Sequence, residues 1–291
     1  MADAAVSVTD VRKRYGDLWA LDGATFDVAE GECFALLGPN GAGKTTVTEI
    51  LEGYRHRDSG EAQVLGIDPA HGDRRWRGEL GIVLQSDRDL GDLTVLEAVR
   101  HFAGYYPAPR DVDEVIEAVG LTERRKARNE KLSGGQRRRL DVALGIIGRP
   151  RVLFLDEPTT GFDPEARRDF WALIDGLKAE GTTILLTTHY LEEAEHLADR
   201  VAVISRGRVL ACDTPARLGG RERSSARVSW WEDGAPVESQ TMDPTATVLS
   251  LAERFGGEVP GLQVRRETLE DVYLALIAED RGEAVAEVDV E

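Results

Sequence analysis

The sequence is poor in cysteine and has no clustered metal-binding residues around the few cysteines it contains. Only two of its 291 residues are cysteines, Cys33 and Cys212, and neither belongs to a CxxC pair or lies near a histidine. Metal ligation by thiolates requires clustered ligands, which excludes such a site here. We therefore expect both thiols to behave as small buried hydrophobic side chains in a reducing compartment.

Long hydrophobic runs are also missing. No run approaches the ~18 apolar residues that are needed to cross a bilayer. The longest runs have the length of strands, such as VLFL at 152–155 and ILL at 184–186. The N-terminal residues lack a basic stretch followed by an apolar one, so we expect no secretory signal. Any membrane pore must then belong to another chain, and we expect a cytoplasmic protein.

Basic residues are outnumbered by acidic ones, 36 against 53, which gives a net charge of −17. A surface this negative repels a phosphate backbone, so nucleic acid is not expected as the main partner. The basic runs at 124–128 and Arg137–Arg139 are typical of solvated helix faces, with attraction to anionic lipid as the alternative. A hydrophobic fraction of 42% excludes a disordered chain.

Strand-like and helix-like patterns alternate along most of the chain. Buried or half-buried strands are predicted at 5–15, 24–38 (two strands around the turn Glu30-Gly31), 61–66, 79–84, 151–156, 182–188 and 200–205, and helices at 44–54, 93–106, 112–121, 164–178 and 191–199. Buried strands separated by helices form parallel sheets covered on both faces. The sequence therefore predicts an α/β fold with a largely parallel sheet, and the mostly helical stretch 86–147 predicts a helical subdomain.

The pattern changes after Leu218, where two glycines and a polar run follow. We predict one domain over 1–218, a linker at 219–226, a small C-terminal α+β domain at 227–280 and an acidic tail at 281–291. Strands are expected at 227–232 and 262–266, and helices at 245–255 and 268–278. Trp230 and Trp231 point to opposite faces of the first of these strands, so at most one of them belongs to a core.

A glycine-rich loop lies between a predicted strand and a predicted helix. GPNGAGKTT at 38–46 fits the phosphate-binding pattern G-x-x-x-x-G-K-[ST]. The glycines let backbone N–H groups turn toward phosphate oxygens at a helix N-terminus. Lys44 would neutralise the β- and γ-phosphates, and Thr45 would offer its hydroxyl to Mg²⁺. The predicted nucleotide site comprises Gly38, Pro39, Asn40, Gly41, Ala42, Gly43, Lys44, Thr45 and Thr46.

Two carboxylates stand at the end of the predicted strand RVLFLD. Asp156 reaches the carboxyl edge of the sheet, where ligands of α/β folds bind, and Glu157 follows it. We predict that Asp156 holds Mg²⁺ directly or through water. Glu157 is predicted to orient and deprotonate the attacking water. A strand that ends in an acidic turn is common, so the prediction depends on the presence of Lys44.

A third motif, LSGGQ at 132–136, opens another predicted helix. Ser133 and Gln136 match a capping box, and Gly134 and Gly135 expose the first N–H groups of the helix. A capped helix does not need two consecutive glycines, which disfavour its first turn. The motif therefore predicts a second anion-binding helix start in the same chain.

With these three motifs, the sequence resembles the ATP-binding cassette (ABC) ATPases over about residues 5–217. The resemblance implies a P-loop NTPase core with an antiparallel β-subdomain and a helical subdomain. It also implies that Leu132, Ser133, Gly134, Gly135 and Gln136 touch the γ-phosphate of ATP held by the other subunit. One chain then supplies two half-sites and no complete site, so we expect a homodimer.

The resemblance extends to single residues. Tyr15 matches the aromatic residue that stacks on adenine, and Gln85 matches the glutamine that contacts Mg²⁺ and hinges the helical subdomain. Asp163 lies in the loop that crosses the dimer interface, although Phe162 stands where the family usually has leucine. His189 matches the histidine that senses the γ-phosphate. Because every catalytic position carries an active residue type, the resemblance implies Mg²⁺-dependent ATP hydrolysis.

Three stretches, at 92–106, 187–201 and 267–276, resemble the ATPase subunits of bacterial drug exporters related to daunorubicin resistance. They imply a motor subunit that powers export of a drug-like or lipid-like substrate through a separate membrane permease. Such a subunit would lie on the inner face of the cell membrane and contact the membrane only through the permease.

Three alternatives remain. The first is an importer motor of the same fold, against which only the exporter-like stretches argue. The second is a soluble ABC ATPase acting on DNA or ribosomes, although the chain lacks coiled coils, zinc cysteines and a second cassette, and its charge is negative. The third is a non-hydrolysing regulatory module, which Glu157 and His189 disfavour.

Overall fold

The computed structural model describes residues 4–83 and 92–282 of the chain. The chain divides into two compact units, Met1–Cys212 and Asp213–Glu291. This division falls between Cys212 and Asp213, whereas the first domain was predicted to end at 218. Within the second unit, part of the predicted linker 219–226 forms a 3₁₀ helix, Leu218–Arg223.

A six-stranded sheet forms the centre of the first unit. Its strands are β3 (Cys33–Leu37), β5 (Leu80–Val83), β6 (Val152–Asp156), β7 (Thr183–Thr188), β8 (Arg200–Ser205) and β9 (Arg208–Asp213), in the spatial order β5-β6-β7-β3-β8-β9. The first five strands in this order run parallel. The turn Arg206-Gly207, with φ of 47° and 76°, connects β8 to β9 as in a hairpin. The predicted α/β fold is confirmed, and β9 is an addition to it.

The register of this sheet brings three loops together. Leu37 of β3 is paired with Thr188 of β7, and Asp156 of β6 is paired with Thr187. The segments that follow β3, β6 and β7 therefore leave the sheet side by side at its carboxyl edge. All residues of these three strands are buried, as their apolar runs predict.

A second, antiparallel sheet packs in the same unit. Its strands are β1 (Ala4–Tyr15), β2 (Leu18–Ala29) and β4 (Ser59–Val64), in the order β2-β1-β4. β2 begins earlier than the predicted strand at 24. Phe26 of β2 stacks on Phe34 of the central sheet with ring centroids 5.4 Å apart, so one hydrophobic core joins the two sheets.

The described part of the first unit also contains α-helices. They are α1 (Lys44–Leu51), α2 (Arg74–Gly78), α3 (Val95–Ala103), α4 (Val112–Ala118), α5 (Gly134–Ile146), α6 (Pro164–Ala179) and α7 (Leu191–Leu197). Thr94 forms a capping box at the start of α3, and Asp163 caps α6 with Pro164 at its first position, as their sequences predict. α3, α4 and α5 pack against one another and form the predicted helical subdomain, of which residues 86–91 lie outside the described residues.

The second unit is a small α+β structure, as predicted. Its strands β10 (Ala226–Glu232), β11 (Ala235–Thr241) and β12 (Gln263–Arg265) form an antiparallel sheet in the order β11-β10-β12, and its helices are α8 (Pro244–Phe255) and α9 (Leu269–Arg281). The prediction missed β11, an edge strand without a buried residue. Trp230 is buried at 7% exposure and Trp231 is 51% exposed, which confirms that one of the two belongs to the core.

The two cysteines differ in their surroundings. Cys33 is fully buried on a central strand, and burial raises the pKa of its thiol to about 12. Cys212 is only partly buried because it lies on β9, the edge of the sheet, where its Sγ accepts a hydrogen bond from Arg200 at 3.4 Å. The expectation of two buried cysteines was therefore wrong for Cys212. Over the described part of the chain, no helix is long and apolar enough to cross a membrane.

Candidate nucleotide-binding and hydrolysis site

The glycine-rich loop joins the end of β3 to the start of α1, and close packing requires two of its glycines. A Cβ atom on Gly43, whose φ is 108°, would lie 2.4 Å from the carbonyl oxygen of Ala20. A Cβ atom on Gly38 would lie 2.3 Å from the carbonyl oxygen of Ile204. Since no side chain fits at either position, the loop can lie tightly over the sheet with its backbone facing the cleft above.

A cleft of about 540 Å³ opens over this loop. This volume falls within the range of about 300–1,000 Å³ that is usual for small-molecule and cofactor sites. The cleft is lined by Tyr15, Leu18, Ala20, Asn40, Gly41, Ala42, Gly43, Lys44, Thr45, Thr46, Glu157 and His189. The structure thus brings together the predicted adenine-stacking residue, the phosphate loop and the two predicted catalytic residues, which are far apart in the sequence.

Lys44 is held at the floor of the cleft. Its Nζ donates hydrogen bonds to the carbonyl oxygens of Gly38 at 2.7 Å and Pro39 at 3.3 Å, and lies 3.8 Å from Oε1 of Glu157. Burial lowers the pKa of Lys44, and the carboxylates of Glu157 and Asp156 oppose that shift. An incoming anion would therefore find a poorly solvated ammonium group, for which a charged phosphate is a stronger partner than neutral carbonyls.

Asp156 lies at the end of β6, buried and fixed in place by its neighbours. Its Oδ1 accepts a hydrogen bond from the hydroxyl of Thr187 on the adjacent strand β7. Arg138 of α5 donates to the backbone carbonyl of Asp156 and, at 3.1 Å, to that of Pro158. These contacts fix the direction in which the Asp156 carboxylate points and tie α5 to the loop behind it.

Neither Thr187 nor Arg138 was predicted from the sequence to be a positioning residue. The basic run Arg137–Arg139 was predicted to be a solvated helix face, whereas Arg138 is buried at 9% exposure. The available signal was its helical spacing, because Arg138 precedes the buried Val142 by one helical turn and so lies on the same inward face. The prediction of a uniformly solvated basic run was therefore wrong at this residue.

Glu157 has a strained backbone, with φ of 44° in the left-handed region that non-glycine residues seldom adopt. Its N–H donates to the carbonyl oxygen of Thr187 at 3.0 Å, which holds this conformation. The carboxylate enters the cleft, where its Oε1 lies 3.3 Å from Nδ1 of His189. Glu157 is thus aimed into the space between Lys44 and His189.

The residues present suit Mg²⁺ bound together with a nucleotide. The hydroxyl of Thr45 and the carboxylate of Asp156 are hard oxygen donors, while the predicted third ligand, Gln85, lies outside the described residues. In the described segments 4–83 and 92–282, no group of three or more His, Cys, Asp or Glu side chains could hold a metal on its own. Mg²⁺ commonly takes one or two protein ligands and completes its shell with phosphate oxygens and water.

The LSGGQ motif forms the capped start of α5. The Ser133 hydroxyl accepts from the N–H of Gln136 at 3.2 Å, and the Gln136 Oε1 accepts from the N–H of Ser133 at 3.1 Å, so the predicted capping box is confirmed. Leu132 is buried beneath it. None of these motif residues lines the cleft described above, as far as the described residues show. The structure therefore places this motif away from the phosphate loop of its own chain.

The glycines of this motif are not required by the packing of their own chain. Neither Gly134 nor Gly135 has a positive φ, and a Cβ atom on Gly134 would meet no described atom within 4 Å. On Gly135 the nearest contact would be the ring of Phe162 at 3.9 Å, an ordinary separation. Phe162 itself is buried and packs edge-on against Phe170, while Asp163 caps α6 at the surface.

Comparison with known proteins agrees with this geometry. The ABC transporter family model matches residues 21–160. The daunorubicin resistance ATP-binding protein DrrA3 of Streptomyces coeruleorubidus is 39% identical over 310 residues, covering 97% of this chain and 98% of that protein. The Nod factor export ATP-binding protein I of Ralstonia nicotianae is 38% identical over 301 residues, covering 93% of both chains.

Solved structures share the fold. An ATP-binding subunit of an ABC transporter superimposes with a TM-score of 0.70 at 23% identity, covering 94% of this chain and 99% of that one. A dimeric bacterial ABC transporter cassette gives a TM-score of 0.64 at 24% identity, covering 72% of this chain and 98% of that one. With near-full-length relatives of this identity, the chain belongs to the family of ABC transporter ATP-binding proteins and is an ATPase.

Proposed function

We propose that this ATPase is the motor subunit of an export system and drives a drug-like or lipid-like substrate through a separate membrane permease. The observation that carries the proposal is the cleft that unites Tyr15, Lys44, Glu157 and His189. The chain that holds this cleft is similar to two ATP-binding proteins over 98% and 93% of their lengths. These relatives are named for daunorubicin resistance and for Nod factor export, which favours export over import.

Within the cleft, the residues divide the chemistry among them. Tyr15 stacks on the adenine, the N–H groups of the loop bind phosphate oxygens, and Lys44 exchanges its carbonyl and carboxylate partners for the phosphates. Glu157 orients the attacking water and accepts its proton, and His189, 3.3 Å from that carboxylate, contacts the γ-phosphate. Thr45, Asp156 and Gln85 would hold Mg²⁺, which would supply positive charge against the phosphate oxygens.

The active species we propose is a homodimer in which each LSGGQ motif completes the pocket of the partner. The bare helix start at Gly134 and Gly135 supports this arrangement, because their own chain does not require glycine there. Such a surface allows close approach of an anion to backbone N–H groups. The loop at Asp163 would lie in the same interface, as it does in the family. ABC cassettes do dimerise, as one of the solved structures demonstrates.

ATP then acts as a removable link between two chains. Shifting an open–closed equilibrium from 1:99 to 99:1 requires about 5.5 kcal/mol of differential binding, which two nucleotides can share. Hydrolysis removes the γ-phosphate contacts and returns the pair to its open state. In our proposal the permease converts this cycle into transport, on the cytoplasmic face of the membrane.

Co-purification from the native host tests the export assignment. A tagged chain extracted from detergent-solubilised membranes should bring down a multi-span membrane protein, and inverted vesicles containing both chains should accumulate a drug-like or lipid-like compound when ATP is added. Lys44→Ala vesicles serve as the control and should not accumulate it. Recovery of the chain with ribosomes or DNA, or ATP-driven transport in the importing direction, would overturn the proposal.

A further inference from the structure

Glu193, in the first turn of α7, is a fully buried carboxylate that the mechanism above does not use. Its side chain has 0% exposure, and both carboxylate oxygens are buried without a partner in hydrogen-bond geometry among the described residues. A buried carboxylate without partners is costly, so its presence at such a position calls for a physical reason.

The groups around Glu193 come from three separate parts of the unit. Thr159 follows Glu157 by two residues, Thr188 is the last residue of β7, and Arg167 and Trp171 belong to α6. α6 packs beside α7, where Trp171 stacks on His196 at 4.6 Å and Arg167 lies 3.6 Å from Glu192. Burial raises the pKa of Glu193, whereas the hydroxyls of Thr188 and Thr159, the Arg167 guanidinium and the Trp171 indole lower it.

The chemistry of these neighbours matches an acceptor. A carboxylate only accepts hydrogen bonds, and the neighbours offer two hydroxyls, an indole N–H and guanidinium N–H groups. Among the described residues, Thr159 Oγ1, Trp171 Nε1 and Arg167 Nε are also buried and without a partner in hydrogen-bond geometry. The donors and the acceptor are thus all buried and make no hydrogen bond with described residues. Catalytic hydrogen bonds are often long in the nucleotide-free state and tighten in the complex.

The position of these donors connects the cluster to the reaction. Thr159 lies in the loop that carries Glu157, and Thr188 directly precedes His189. The Thr188 Oγ1 accepts from the N–H of Tyr190 at 2.9 Å, so it shapes the turn that presents His189. The threonines beside Glu193 therefore belong to the two segments that carry the proposed catalytic residues.

We infer that Glu193 is a positioning residue that holds the Glu157 loop and the His189 turn in a fixed relation by gathering the hydroxyls of Thr159 and Thr188. It touches neither nucleotide nor metal and acts only through these two threonines. The inference rests on the proposed roles of Glu157 and His189. Small displacements of a catalytic group can reduce turnover by about 100-fold, so the loss of this link is a kinetic defect.

Steady-state ATPase assays on purified full-length variants test this role. Glu193→Leu fills a similar volume and removes the acceptor, and it should lower kcat by about 10- to 100-fold while the KM for ATP changes less than about twofold. Glu193→Gln keeps one acceptor oxygen and should restore part of kcat. Glu195→Gln, an exposed glutamate on the same helix, is the control and should match the wild type.

A double variant tests whether Glu193 acts through Thr159. If Glu193 acts through Thr159, then Thr159→Val should lower kcat, and the pair Thr159→Val with Glu193→Leu should be no slower than Glu193→Leu alone. Effects that multiply instead would overturn the route through Thr159. If Glu193→Leu does not fold, Glu193→Gln and Thr159→Val decide the matter, and wild-type kcat in both would overturn the inference.

Glu157→Gln separates this inference from the function on which it rests. Wild-type turnover in Glu157→Gln would refute the catalytic assignment itself. Loss of turnover in Glu157→Gln, combined with unchanged kcat and a reduced Tm in Glu193→Leu, would leave the assignment intact. That combination would show that Glu193 only supports the packing of α7.

Discussion

At the scale of single residues, two buried carboxyl groups differ in their surroundings and therefore in their charge. Asp156 receives hydrogen bonds from its neighbours, whereas Glu52, at the end of α1, is buried at 7% exposure. Burial, together with repulsion from Asp156 and Glu49, raises the pKa of Glu52 to about 8. Glu52 is therefore mostly protonated and neutral at pH 7.

The raised pKa of Glu52 makes stability depend on pH. A carboxyl group that binds its proton more tightly in the folded state than in the unfolded state stabilises the folded state. This contribution is fully present at pH values below the ordinary pKa of 4.5, and it is lost as the pH rises toward 8. Between pH 5 and 8 the free energy of unfolding should fall by up to about 1.4 kcal/mol per pH unit relative to Glu52→Gln, which is neutral at every pH. Urea unfolding of both proteins measures this, and parallel pH dependences would contradict it.

Lys44 is expected to supply a large part of the affinity for ATP. Lys44→Ala should weaken ATP binding by about 100-fold or more, because it removes two charge-assisted hydrogen bonds worth about 1.5 kcal/mol each. Calorimetric titration with ATP and Mg²⁺ measures the affinity. Lys178→Ala serves as the control, since Lys178 pairs with Asp199 at 2.6 Å outside the cleft and should bind ATP normally. An unchanged affinity in Lys44→Ala would refute the assignment of the phosphate loop.

At the scale of elements, Gly134 at the start of α5 is expected to be needed for ATPase activity and not for folding. Gly134→Ala introduces a better helix former where no described atom lies within 4 Å of the new methyl group. The free energy of unfolding should therefore stay the same or rise by up to about 1 kcal/mol, while ATPase activity should fall at least about tenfold. A fall in stability with full activity would show that the glycine serves only the fold.

Gly176, inside α6, is the matched control for Gly134. A Cβ atom there would also meet no described atom within 4 Å. Gly176→Ala should raise the free energy of unfolding by about 0.5–1 kcal/mol through helix propensity and leave ATPase activity unchanged. Loss of activity in both variants would mean that the effect comes from stiffening a helix rather than from blocking an anion site.

The sequence predicted the buried central strands but not every edge strand and short helix. The buried strands β3, β6 and β7 were predicted because continuous apolar runs of strand length, bounded by turns, are typical of the central strands of parallel sheets. β11 was missed because an exposed edge strand needs no apolar run, and α2 was missed because five residues show no helical period. The burial of Arg138 and Glu193 was not predicted, because burial of a charged side chain depends on tertiary neighbours that the sequence does not display.

The location of the candidate site at one edge of the central sheet could be predicted from the sequence. Its members lie at the ends of the strands, and parallel topology brings those ends to one edge whatever the details of the helices. The positions of Lys44, Glu157 and His189 around one cleft follow from that rule and from the motif pattern. Tyr15 ends a strand of the antiparallel sheet, so its place in the cleft was expected only from the family resemblance. The hydrogen bonds that orient them, such as those of Thr187, follow only from the register between neighbouring strands.

At the scale of the whole molecule, the proposed mechanism depends on a nucleotide pocket shared between two chains. Glu157→Gln should bind ATP without hydrolysing it and therefore accumulate as the closed dimer. Size-exclusion chromatography with light scattering, in saturating ATP and Mg²⁺, should show a dimer for this variant. The same variant with Gly134→Ala added should remain monomeric. A monomeric Glu157→Gln protein under these conditions would count against ATP-driven closure.

The concentration dependence of ATP turnover tests the shared pocket most directly. Turnover per chain of the wild-type protein should rise with protein concentration and level off once the dimer predominates. At dilutions where mass photometry detects only monomers, it should approach zero. Constant turnover per chain down to such dilutions would show that one chain holds a complete site, and would contradict the shared pocket.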